Sequence, residues 1–301
     1  MDWEISRVMD SRVPILLYHS VSDEATNEYM EWAISPTRFA EHMAYLAKED
    51  YSPLTVGQFV DLKLHQKKLP SKPVIISFDD GLASFYDAAY PVLHHHNFPA
   101  TLYVVTCCVG QTSQWLAEEG EGMRPMMTWA QIQEVQANGI EIGAHSLSHP
   151  QLDTLPLDQA RTEIVTSKAQ LENSLGQPIT TFAYPHGYYS QAVRQLVQEA
   201  GYVSACAVKH AVSSMDDDIF ALSRMFVYRH TTVSDLARLL AGEGLRVAPQ
   251  REQIRTKVWR WARRIQRSVN APKVIKLPKI LNRFTASIFA LLGIEFWKNA
   301  T

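Results

Sequence analysis

The sequence predicts an α/β fold: a parallel sheet with helices outside it, an incomplete (β/α) barrel of about seven strands, followed by a basic amphipathic helical tail. Three observations predict it. Short apolar, β-rich runs recur along the chain, amphipathic stretches lie between them, and the residues best suited to chemistry follow directly on two of the runs. The runs are residues 15–18, 74–78, 100–105, 140–144, 180–184, 203–208 and 222–228. Helical patterning covers residues 36–48, 84–96, 129–138, 157–175, 190–200 and 232–240. Seven strands suit an incomplete barrel better than a complete one of eight, although an open sheet meets the same pattern. The stretch from Gly242 to Pro249 reads as the end of this domain, set at residues 1–245, with the tail at 246–301.

At 301 residues, 46% of them apolar and 20% charged, the chain has the composition of a soluble globular protein with a full core. No stretch reaches the length of a bilayer span. Met1-Asp2-Trp3-Glu4 carries acid where an export signal would carry base, and Cys107, Cys108 and Cys206 form an odd set with two neighbours adjacent. Both features point to a reducing, cytoplasmic setting and away from a disulfide framework. Charge divides unevenly. Residues 1–250 hold 17 Lys and Arg against 29 Asp and Glu, a net of −12, and residues 251–301 hold 12 against 2, a net of +10.

Asp79 and Asp80, in Ser77-Phe78-Asp79-Asp80-Gly81, and His145 and His149, in Ala144-His145-Ser146-Leu147-Ser148-His149-Pro150, are the most informative residues. They offer a carboxylate and two imidazoles to a metal and leave a second carboxylate over. Three protein ligands leave a coordination position open for water, and an unligated carboxylate beside it can take that water's proton. Alone, Asp-Asp-Gly is usually a solvated turn, and His-x3-His without a helix is a weak signal. Position changes this. Asp79 follows Pro73-Val74-Ile75-Ile76 and His145 follows Gly139-Ile140-Glu141-Ile142-Gly143, so both motifs end strands. Consecutive residues on a strand point to opposite faces, so the second carboxylate needs a local turn to enter the same pocket, and Gly81 supplies the freedom.

Three motifs in order, Ser77-Phe78-Asp79-Asp80-Gly81, His145-Ser146-Leu147-Ser148-His149 and Phe182-Ala183-Tyr184-Pro185-His186-Gly187, make the chain resemble the NodB-like polysaccharide deacetylases of carbohydrate esterase family four over roughly residues 13–240. The resemblance implies a distorted (β/α) barrel that removes N-acetyl groups from amino sugars. It implies Asp80, His145 and His149 as ligands of one divalent metal and Asp79 as the catalytic base; nitrogen and oxygen ligands in a reaction without redox point to zinc. Tyr184, Pro185 and His186 become the loop whose backbone N–H, that of His186, faces the oxyanion. The family's usual late Leu-x-His acid is absent, and Val227-Tyr228-Arg229-His230 is the nearest approach. Leu16-Leu17-Tyr18-His19-Ser20 instead resembles the permuted branch typified by poly-N-acetylglucosamine deacetylases, which implies His19 as the acid, its ordinary pKa lying near neutrality. The arginine that many members carry before the Phe-x-x-Pro loop is also missing. Arg224 is then either the residue that orients Asp79 or an exposed strand-end arginine. Trp129, in Thr128-Trp129-Ala130, either stacks on a sugar or caps the core.

Two other features stay outside this set. Consecutive side chains on a helix diverge, so His94-His95-His96 reads as a helix end and not as a metal cluster. Tyr188-Tyr189 either line the cleft or begin the next helix. In the tail, eleven Lys and Arg between Arg251 and Arg283 interleave with Val258, Trp259, Trp261, Ile265 and Val269. Such a segment suits the anionic inner face of a membrane or a partner subunit, and no base-reading module accompanies it to suggest nucleic acid. The expected function is metal-dependent N-deacetylation of an amino-sugar glycan or a lipid-linked saccharide. The alternatives are an amidohydrolase for a small non-sugar amide or formamide, and a catalytically silent glycan-binding protein.

Overall fold

The structure is a computed structural model that describes residues 11–249. Of the expected basic tail at 246–301, residues 250–301 lie outside the described residues. Among the described residues, seven parallel strands form the main path of the central sheet: β1 (Ile15–Tyr18), β2 (Pro73–Phe78), β3 (Ala100–Val104), β4 (Ile140–Ala144), β5 (Thr181–Ala183), β6 (Ser204–Cys206) and β7 (Met225–Phe226). Their order is β6-β5-β4-β3-β2-β1-β7. The path curls into a half-barrel. At its two ends Ala207 N–H donates to Leu222 O and Leu222 N–H to Ala205 O, both at 2.9 Å, which ties β6 to the chain leading into β7. Each strand falls on one of the seven apolar runs, and β2 begins one residue ahead of its run. The last three, β5 to β7, are shorter than their runs.

Helices cover the outside, with starts encoded locally. Ser35 caps α1 (Pro36–Lys48) by accepting Arg38 N–H, and Pro36 fills its first turn. Capping boxes open α2 (Val56–Leu64), α4 (Trp129–Ala137) and α7 (Val233–Ala241). The helical pattern at 84–96 is realised in two parts, a π-turn over Phe85–Ala89 and then α3 (Tyr90–His95). Tyr90 N–H reaches back to Phe85 O, and Pro91, which has no N–H, follows immediately. The remaining helices are α5 (Leu157–Leu175) and α6 (Gln191–Glu199). Sequence reasoning missed α2 and the parallel strand Ser52–Leu54, which pairs with the start of β2. That strand is three half-buried residues with a proline at its centre, and so gives no strand signal of its own.

Two clusters fix the layers. Outside the sheet, Tyr18 stacks on Phe78 at 5.3 Å and meets Phe39 of α1 edge-on at 5.3 Å, while Phe78 meets Phe85 at 4.8 Å. The buried His42 ties these to the turn before α7: its Nε2–H donates to Thr231 O at 3.0 Å, which leaves Nδ1 to accept from Tyr18 OH at 3.1 Å. Inside the curl lie Tyr103, Cys206, Leu222 and Arg224, all fully buried. Tyr103 OH bonds Thr181 Oγ1 at 2.9 Å and contacts Cys206 Sγ at 3.2 Å. Gly143 on β4 makes room for that ring, since a Cβ there would stand 2.5 Å from Tyr103 Cε1 and 2.9 Å from Thr181 Cγ2. Gly143→Ala is therefore expected to destabilise by about 1–3 kcal/mol through overpacking. Urea denaturation reads this, and an unchanged midpoint would mean that Tyr103 moves aside freely.

Candidate active site

Every predicted polar motif emerges at the carboxyl-terminal rim of the sheet. Asp79 N–H donates to Tyr18 O (3.1 Å), His145 N–H to Val104 O (2.9 Å) and Tyr184 N–H to Cys206 O (3.1 Å), so each strand end is anchored to its neighbour before its loop departs. Asp80 takes a left-handed conformation, φ +79°, as does Gly81 at φ +81°. The turn expected of the glycine thus begins one residue earlier, and it swings the second carboxylate into the pocket of the first. No helix underlies the histidine pair. Ser146 (φ +65°) and His149 (φ +62°) fold the loop back on itself, helped by His149 N–H donating to Ser146 Oγ at 3.0 Å, and the two rings come to lie 4.8 Å apart.

The carboxylates have different partners. Asp79 is 4% exposed and receives both ends of the Arg224 guanidinium, Nη1 to Oδ1 at 2.6 Å and Nη2 to Oδ2 at 2.7 Å. Arg224 is fully buried, lies 5.4 Å from the Tyr103 ring and donates its Nε–H to Ala207 O. It is no exposed strand-end residue. Asp80 Oδ1 is buried with no hydrogen-bond partner among the described residues, 3.5 Å from His149 Nε2 and 3.8 Å from His145 Nε2. His145 Nδ1–H donates to Ala183 O at 2.8 Å, which fixes the tautomer and leaves Nε2 as a lone pair.

These groups fit a divalent cation. Asp80, His145 and His149 each bring one ligand atom within 4.8 Å of the others. Separations of 3.5–3.8 Å exceed a hydrogen bond and approach the roughly 3.3 Å expected between ligands at about 2.0–2.1 Å from a shared tetrahedral zinc. Electrostatics agree. Burial, with Asp79 beside it, pushes the Asp80 carboxyl up to about 8, as befits a carboxylate that lacks a counter-charge. Burial would raise Asp79 too, but Arg224, His145 and His19 together hold it below the ordinary carboxylate value. Burial lowers both His145 and His149, the latter well below its usual value, so both imidazoles are neutral as ligands must be.

Other predicted residues divide between cleft and core. His19 lies in the cleft, a cavity of about 230 Å³ that also holds Tyr29, Trp32, Glu119, His186 and Tyr188. His186 takes φ +57° and its ring lies 4.7 Å from that of His149. Tyr184 does not line the cleft, as its buried ring stacks on Tyr189 at 4.7 Å and its hydroxyl donates to Phe220 O. Pro185 is likewise buried beneath the turn. Trp129, half-buried at the start of α4, packs on the core and is not among the residues that line the cleft. The cleft's tryptophan is Trp32, from the 3₁₀ turn Met30–Trp32, which sequence reasoning missed along with Tyr29 and Glu119. None of the three belongs to a motif. Tyr29 OH and Glu119 Oε2 are buried without a hydrogen-bond partner among the described residues and are available to a ligand. Of the tyrosine pair, Tyr188 lines the cleft and Tyr189 packs on Tyr184, while Ser190 caps α6. His230 is exposed and lines an adjoining groove. His94 and His95 form the exposed last turn of α3.

Fold and rim together define a hydrolase. A family model described as polysaccharide deacetylase matches residues 66–205. The Bacillus subtilis (strain 168) protein named "Putative polysaccharide deacetylase YxkH" is 31% identical over 218 residues, 72% of each chain. A Staphylococcus aureus (strain MSSA476) poly-beta-1,6-N-acetyl-D-glucosamine N-deacetylase is 22% identical over 212 residues, 67% of this chain and 70% of that one. The solved Streptococcus pyogenes deacetylase PplD, in complex with acetate, shares the fold with a TM-score of 0.67 and 24% identity, covering 76% of this chain and 98% of that one. The chain belongs to the polysaccharide deacetylase family.

The cluster generates a direct test. His149→Ala should lose divalent metal by more than the roughly 10–100-fold that removing a ligand's outer partner costs. Metal uptake by the wild-type protein must displace the Asp80 proton. Apparent affinity therefore rises with pH up to about 8 and levels off above it. Elemental analysis and titration at several pH values measure both, and equal metal in wild type and variant would remove His149 from the ligand set.

Proposed function

We propose that the protein hydrolyses N-acetyl groups on an amino-sugar glycan with the help of one divalent metal, zinc by the chemistry of its ligands. The observation that carries this reading is the division between the carboxylates: Asp79 is held by Arg224 while Asp80 turns an unpartnered oxygen toward two imidazole Nε2 atoms. The relative named for poly-beta-1,6-N-acetyl-D-glucosamine supports an amino-sugar substrate. Asp80, His145 and His149 would hold a divalent cation, which would lower the pKa of a water and polarise the acetyl carbonyl.

The chain's own groups do the remaining work. Arg224 fixes the Asp79 carboxylate as an anion in one orientation, so Asp79 takes a proton from the attacking water. Negative charge builds on the acetyl oxygen at the rim where His186 turns. The resemblance assigns the stabilising donor to the His186 backbone N–H, and losing such a donor typically costs about 3 kcal/mol. The amine departs only if protonated, and His19 lies in the cleft to serve it. Its resting state differs from the sequence expectation. Burial lowers His19 to about 4, Asp79 opposing and Arg224 adding to the shift, so it is neutral at pH 7. His19 therefore receives the proton that Asp79 has taken and passes it to the leaving nitrogen. Acetate and a free amine result.

Two variants test the roles. Asp79→Asn should keep metal and lose about 10²–10⁴ in kcat, because an amide accepts no proton from water. Metal lost with activity kept would exchange the roles of Asp79 and Asp80. His19→Ala should lower kcat by a similar factor of about 10²–10⁴. A His19 that had to be charged beforehand would make the rate fall tenfold per pH unit above about 4. We expect no such fall between about pH 5 and 7. Its appearance in wild type and disappearance in His19→Ala would restore the pre-charged acid, and an equal loss in His230→Ala would show that the proton travels through the other histidine. Acetate release from N-acetylated oligosaccharides, set against simple amides and formamides, tests the substrate class.

A further inference from the structure

The catalytic cleft, about 230 Å³, is smaller than the roughly 300–1,000 Å³ of sites that enclose a drug-sized ligand. A glycan chain with one sugar in it must continue outside. On one side the wall does not end but runs on as a strip of rings. Trp32 lies 5.2 Å from His19, 5.1 Å from Phe226 and 5.5 Å from Tyr228. Phe226 stacks on Tyr228 at 5.4 Å and 25°, and Tyr228 on His230 at 5.6 Å and 6°. Residues 226, 228 and 230 are two apart in sequence and follow one another off the end of β7. Phe226 lines both the catalytic cleft and an adjoining groove of about 310 Å³, whose wall includes Tyr228, His230, Asp235, Arg238 and Glu243.

Trp32, Phe226 and Tyr228 are half-buried and His230 is exposed, so the strip is left open to solvent where the core does not need it. Arg238 and Glu243 form an exposed ion pair at its margin. An aromatic surface with a charged, hydrogen-bonding border matches a pyranose, whose C–H faces are apolar and whose rim is hydroxylic. A hydrocarbon chain would match the rings and not the border. We propose that this strip is a second saccharide site, continuous with the cleft through Phe226, which holds the neighbouring units of an N-acetylated amino-sugar polymer while one unit reacts. The inference rests on the reading that the cleft accepts an N-acetylated sugar. It selects a polymer over a single lipid-linked sugar, since only a polymer spans cleft and strip together.

The experiment separates binding from turnover. In the Asp79→Asn protein, a β-1,6-linked N-acetylglucosamine pentamer should bind at least about tenfold more tightly than the dimer by calorimetric titration. Adding Tyr228→Ala should remove about three- to tenfold of that advantage, and Tyr228→Phe, which keeps the ring, should restore it. His230→Ala, an exposed change that leaves folding alone, should weaken the pentamer selectively as well. In otherwise wild-type protein the same changes should raise KM for the pentamer without altering kcat or dimer hydrolysis. Equal affinity for dimer and pentamer, or a pentamer indifferent to both Tyr228→Ala and His230→Ala, overturns the strip even if wild type releases acetate from both. Pentamer binding through the strip without acetate release from any substrate would instead overturn the deacetylase reading and keep the strip as a glycan-binding site.

Discussion

A guanidinium and a carboxylate, both removed from water, meet at the centre of the curl, and the rest of the structure is arranged so that they can. Burying two charges costs several kcal/mol each before their attraction returns it. Arg224 and Asp79 offset that cost with two short, parallel hydrogen bonds, and the Arg224 Nε–H finds Ala207 O. Room for the arginine follows from the strands around it. Gly143 has no side chain, so Tyr103 can lie across β4 and cover the guanidinium, and the Tyr103 hydroxyl is satisfied by Thr181. Removing either charge would strand the other, at about 3–5 kcal/mol. The pair is thus a constraint on both the folding and the chemistry of the protein.

That constraint also separates two adjacent carboxylates that share a strand end. Asp79 is saturated by a permanent cation and stays ionised. Asp80, a residue later, has only neutral imidazoles nearby and rises to about 8 until a cation arrives. Two identical functional groups acquire different tasks from their surroundings alone. Burial likewise leaves His19 neutral, with Asp79 opposing the shift and Arg224, His145 and His186 adding to it.

The sheet was legible because a buried parallel strand leaves a dense apolar run, and each of the seven runs carries its strand. The motif residues were legible as strand ends for the same reason. What escaped had no periodic or local signature. The short strand at Ser52 and the helix after it are too brief and too evenly exposed to announce themselves. The partner of Asp79 lies 145 residues further on and could be placed only when β7 was seen to close beside β1. Trp129 and Trp32 look alike in sequence. Only the helix start that turns one toward the core, and the 3₁₀ turn that presents the other to the cleft, tell them apart. For His19 the sequence gives position but not protonation, because its shift arises from groups scattered through the chain.

Four residues of the rim, Asp80, Ser146, His149 and His186, are not glycine and yet hold left-handed torsions. Such torsions cost of order 1–3 kcal/mol each for residues with a side chain. Glycine would relieve the cost at any of them and would forfeit whatever the side chain contributes. Selection for a robust fold and selection for turnover therefore act in opposite directions on the same four backbone angles. A descendant of this chain released from its chemistry would be expected to drift at these positions first, and to grow more stable as it fell silent.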